Sequence, residues 1–245
     1  MISVALCCNV LYTKHMSSMI RSKFIYKELT RNSGPEGRLY LCPDGSRVAS
    51  VTTILDKTKT EEKRQALSNW KKRVGEQAAQ QIVTEAAGRG TSMHKLIELW
   101  LAGEDISNPG SNLVHQQASK MANLVINELI MPSVDEIWGS EVSLYFPGLY
   151  AGTTDCVGSW KGKAAILDFK QTNKPKKKEW IDDYFLQLCA YAIAHNEVYG
   201  TDINCGVILM CSKDLILQEF VLEGDEFEKY THMWWDRVEQ FYRER

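Results

Sequence analysis

One candidate β-hairpin constrains this chain more than any other feature. Tyr150 to Trp160 and Ala164 to Lys170 are strand-like runs separated by Lys161-Gly162-Lys163. A tight loop centred on Lys161-Gly162 pairs Trp160 with Lys163, and the same register carried outward sets Asp155 opposite Asp168. Lysine is not the favoured first residue of a primed turn, so a four-residue loop of the same symmetry is equally acceptable and gives the same opposition. Strand side chains alternate, so Asp168 and Lys170 share the face of Asp155, while Leu167 and Phe169 point to the other side, free to enter a core. Like charges facing each other across a strand pair are destabilising. Two carboxylates about 5 Å apart must share a proton or bind a cation. Hard oxygen donors favour magnesium or manganese over zinc, and a neighbouring lysine can orient a water or stabilise charge on a phosphate. That set suits phosphodiester hydrolysis; taken alone, Asp-x-Lys also describes a surface hairpin with exposed ion pairs.

Residues on both sides of the hairpin extend the pattern. Upstream, Gly88-Arg-Gly90-Thr91 reads as a loop with Thr91 as N-cap, opening a helix with His94 in its first turn and Met93, Ile97, Trp100 and Leu101 as its buried stripe. Downstream, Trp180 to Asn196 has Ile181, Phe185, Leu188, Ala192 and His195 at helical spacing, with Tyr184, Gln187 and Tyr191 on a neighbouring stripe. In a βαβ-type layout that helix packs beside the hairpin, and Gln187 and Tyr191 can face the carboxylates.

Gly90-Thr91-x-x-His94, Gly152-x-x-Asp155, Asp168-x-Lys170 and Gln187-x-x-x-Tyr191, in that order, resemble the signature of the RecB-like branch of the PD-(D/E)xK nucleases, in particular its mitochondrial and phage exonucleases. The resemblance runs from about Arg38 to the C-terminus. It implies an α/β fold with a restriction-endonuclease-like core, a mixed central sheet flanked by helices, and an N-terminal helical and hairpin elaboration. It further implies that His94, Asp155, Asp168 and the Phe169 carbonyl ligate one or two Mg2+ or Mn2+ ions. In the same scheme Lys170 positions the attacking water, Gln187 braces the lysine or the scissile phosphate, and Tyr191 touches the strand being cut. Glu141 and Glu98 are read as structural. The activity implied is a metal-dependent DNA exonuclease acting from single-stranded ends, in replication, recombination, repair or breakdown of host DNA. A structure-specific endonuclease on the same fold and a non-catalytic DNA-binding recombination partner are the alternatives.

A chain of 245 residues with 44% hydrophobic content can fill one core. We therefore expect a single nuclease domain over 25–245 after an uncertain segment 1–24. The net charge of -2 gives no global basic signature, so any nucleic-acid surface is local. Lys174, Lys176 and Lys177, just past the catalytic strand, are its best-placed residues, with Tyr184, Tyr191, Trp180 and Trp100 as candidates to stack on unpaired bases. The lysines and arginines between Lys57 and Arg73 alternate with Glu61 and Glu62 and read as a solvated helix face. Seven cysteines without Cys-x-x-Cys spacing argue for a reducing compartment and against zinc. Some RecB-like nucleases hold an iron-sulfur cluster on one upstream and three C-terminal cysteines; the last helix here has none, so the resemblance implies no cluster. The apolar Met1 to Val10 lacks a positive n-region, so neither signal peptide nor membrane anchor is expected, and Met16 or Met19 is an alternative start. These features fit a cytoplasmic protein, within a bacterial host if phage-encoded. Its partner would be DNA, with a recombination or single-strand-binding protein as a further possibility and no membrane association.

Overall fold

A computed structural model describes residues 19–35, 37–108 and 110–244; the expectations for Met1 to Val10, Cys7, Cys8 and Met16 lie outside them. A mixed sheet is flanked by helices on both faces. The chain opens with a hairpin, β1 (Thr30–Gly34) and β2 (Gly37–Leu41), followed by β3 (Arg47–Ser50) and helix α1 (Val51–Lys57), which Ser50 caps by accepting from the Thr53 amide. Helices α2 (Glu61–Val74) and α3 (Glu76–Leu101) come next, then α4 (Leu113–Val125), prolonged by a π-helical turn at Ile126–Ile130. The long strands β4 (Val134–Phe146), β5 (Tyr150–Trp160) and β6 (Lys163–Thr172) follow. They lead into α5 (Asp182–Tyr199), β7 (Cys205–Ser212), β8 (Leu217–Glu223) and α6 (Gly224–Arg243).

The hairpin register is the one read from the turn. Trp160 pairs with Lys163, and the ladder runs to Cys156 opposite Leu167. Lys161 and Gly162 both lie at positive φ, 47° and 81°, as a two-residue primed turn requires. Alternation then divides the core. Leu167, Phe169 and Cys156 join Met93, Ile97 and Met121 on the α3/α4 face, while Ile166 and Val157 join Phe185, Leu188 and Trp234 on the α5/α6 face.

Helices α2 and α3 are separated at Gly75, whose φ of 87° lies in the region that favours glycine. One helical expectation needs correction. The expected loop at Gly88 to Thr91 is instead continuous helix within α3, so Thr91 is no N-cap and His94 sits well inside the element. Gly90 serves packing rather than chain reversal, because a Cβ there would meet Gln171 Cγ of β6 at 3.3 Å. Within the segment 1–24, Met19 is buried, Ile20 bridges to Ile137 of β4 and Phe24 packs against the core. Trp180 precedes α5, in an exposed 3-10 turn, and Trp100 is core.

Candidate active site

The site forms where the sheet forks. One edge of β5 is occupied along its length by antiparallel β4. The other edge pairs with β3 in parallel at Tyr150 and Ala151 and with β6 at Cys156 to Trp160, which leaves Gly152 to Asp155 without a ladder partner on that side. The backbone groups that the fork releases must be satisfied locally. The Phe169 amide donates to Asp155 Oδ2 at 2.6 Å, so a carboxylate takes the place of the next ladder bond.

This corrects the expected direct opposition of Asp155 and Asp168. The paired ladder stops one step short, and the two carboxylates take different partners. Asp155 Oδ1 lies 3.3 Å from His94 Nδ1, reached from α3. Asp168, almost wholly buried, sets Oδ2 2.5 Å from Lys170 Nζ. The residue across the β4–β5 ladder from Asp155 is Glu141, between the pairs Ser140–Cys156 and Val142–Thr154. One donor atom from each of His94, Glu141 and Asp155 lies within 4.8 Å of the others. Glu141, read from sequence as structural, therefore belongs to the cluster; Glu98 instead pairs with Lys95 at 2.8 Å.

Electrostatics follow from burial and pairing. Burial alone would lower His94 and raise Asp155, but each charge outweighs that cost for the other, so His94 stands above and Asp155 below its ordinary range. Burial pushes Asp168 up to about 6 despite Lys170 beside it. Partial burial would lower Lys170, yet Asp168 and Asp155 hold it above the usual lysine value, so it is an ammonium at neutral pH. Burial and Asp155 raise the Glu141 carboxyl.

The α5 residues play distinct parts. Tyr184 lies under the Lys170 ammonium, 5.1 Å from ring centroid to Nζ. Gln187 donates to the Tyr191 hydroxyl at 3.3 Å. Tyr191, expected to meet the substrate, is 2% exposed and packs on Gly152, where an added Cβ would sit 2.8 Å from its ring. Beyond β6, Lys174 and Lys177 are exposed, while Lys176 is held by a backbone amide bond to Gln218 Oε1 at 2.7 Å. Lys177 lies over Trp180 at 5.4 Å. Arg89, absent from the sequence reading, is buried and donates to Gln171 Oε1 at 3.2 Å and to Asn173 Oδ1, tying the helix of His94 to the end of β6. Its only sequence signal is its place beside Gly90.

Imidazole nitrogen and carboxylate oxygens converging this closely could hold a metal ion. No family model matches the chain. Mitochondrial genome maintenance exonuclease 1 of Mus musculus is 26% identical over 204 residues, 79% of this chain and 59% of its own length. The Homo sapiens protein is 26% identical over 207 residues, covering 79% of this chain and 58% of its own. The Xenopus tropicalis protein is 26% identical over 209 residues, with coverages of 81% and 58%. The chain thus spans less than two thirds of these relatives. Among the described residues no helix is long and apolar enough to cross a membrane. The chain is a sequence relative of the mitochondrial genome maintenance exonucleases.

Proposed function

We propose that this protein is a divalent-metal-dependent deoxyribonuclease that degrades DNA from single-stranded ends. The observation that carries the reading is the ion pair of Lys170 with buried Asp168, set beside the His94–Asp155 donors at the sheet fork. His94, Asp155, Asp168 and the Phe169 carbonyl would hold the ion, and their donor chemistry fits magnesium or manganese. Such an ion, when bound, polarises the scissile phosphate and offsets charge on the leaving oxygen. Lys170 Nζ, kept protonated by its two carboxylates, orients the attacking water and donates toward a phosphate oxygen. Gln187, braced by Tyr191, supports that lysine or the phosphate. Tyr191 acts by holding Gln187, since it is buried. Lys174, Lys176 and Lys177 neutralise the incoming backbone, with Tyr184 at the lysine and exposed Trp180 as a stacking face. The relatives' name supports exonuclease over endonuclease.

The test is digestion of end-labelled linear single strands, duplex and covalently closed single-stranded circles with Mg2+, Mn2+ or EDTA. Linear single strands should be degraded with either metal, EDTA should stop the reaction, and circles should resist. Circles cut as fast as linear strands would make the protein an endonuclease. No cleavage of any DNA by the folded protein with either metal would overturn the nuclease reading.

A further inference from the structure

We propose that Glu141 is itself a ligand of this metal centre, forming with His94 and Asp155 a three-donor seat that binds the first ion; the proposal rests on the nuclease reading above and deepens it. Register places Glu141 across from Asp155, since the ladder pairs on either side, Ser140 with Cys156 and Val142 with Thr154, close normally. At Glu141 alone among the residues of β4 the backbone enters the left-handed region, with φ of 52°. A residue with a Cβ adopts that geometry at a cost in free energy.

Two ligands each about 2.1 Å from a shared magnesium ion lie no more than about 4.2 Å apart. The donors of His94, Glu141 and Asp155 all lie within 4.8 Å of one another, so a side-chain adjustment of a few tenths of an ångström is enough to seat the ion. Asp168 is not one of the three, and its Oδ2 is engaged by Lys170. Among the described residues Glu141 has no ion pair with a lysine, arginine or histidine; the neighbouring Lys95 is taken by Glu98. Two carboxylates facing each other across a ladder repel, and a divalent ion bound between them relieves that repulsion.

Calorimetric titration of the metal-free full chain with Mn2+, without DNA, tests this in the wild type and in Glu141→Gln, Glu141→Gly and Asp155→Asn. Glu141→Gln keeps the size of the side chain and removes the charge. Glu141→Gly also frees the strained backbone, so it should melt no lower than the wild type, and it decides the matter if the glutamine variant fails to fold. Both Glu141 variants should weaken Mn2+ binding by roughly tenfold or more, as should Asp155→Asn. Unchanged Mn2+ affinity in the Glu141 variants, with loss in Asp155→Asn, would overturn this proposal and leave the nuclease reading standing. A wild type that binds no Mn2+ would overturn both.

Discussion

Helix α5 presents Gln187 from an element buried almost along its length, whereas α3 presents His94 from a helix whose first half lies mostly in solvent. In α5, Phe185, Leu186 and each residue from Leu188 to Ala192 are buried. In α3, only Ala79 is buried ahead of Arg89, and the preceding α2 buries nothing. The Gln187 side of the site is thus set by packing. The His94 side is set by Met93, Ile97 and Trp100 beyond it and by the Arg89 clamp one turn before it. Packing tolerates little change in volume, while a polar clamp can be lost with a smaller penalty, so the two sides should fail differently.

Gly152→Ala should break the packed side most severely. The new Cβ would press into the Tyr191 ring, and overpacking of this kind costs about 2–3 kcal/mol. Thermal unfolding should register the loss, and cleavage should fall as Gln187 is displaced. Wild-type stability in that variant would mean that Tyr191 is loosely held and that α5 is no more rigid than α3. Arg89→Ala should cost less, about 1–2 kcal/mol for a charged donor to two side-chain oxygens. Its signature is a weaker Mn2+ affinity, read by titration, because His94 loses its anchor to β6. Leu67→Ser, on the exposed face of α2, should change stability by no more than about 0.5 kcal/mol. A larger drop in denaturant melts would show that α2 packs against the domain in solution.

The same contrast governs what the sequence could reveal. The hairpin register was legible because a two-residue turn fixes every later pair, down to Cys156 and Leu167. Its end was not, because a side chain, Asp155, replaces the following ladder bond. The approach of Glu141 to Asp155 follows from the same arithmetic applied to the turn between Phe146 and Tyr150, yet its left-handed backbone carries no sequence signal. Gly88 and Gly90 read as a loop because glycine weakens a helix. Only the closeness of Gln171 explains why the helix keeps a glycine at position 90. Arg89 was invisible for a similar reason, since Gln171 lies 82 residues away in the chain.

Single-turnover cleavage of a linear single strand by Lys170→Ala, with Mg2+ and with strand binding measured in parallel, tests the central claim most directly. The account predicts that cleavage is abolished while the strand still binds, because the lysine serves the chemistry and the exposed lysines beyond β6 hold the backbone. A Lys170→Ala protein that cuts at the wild-type rate would contradict it.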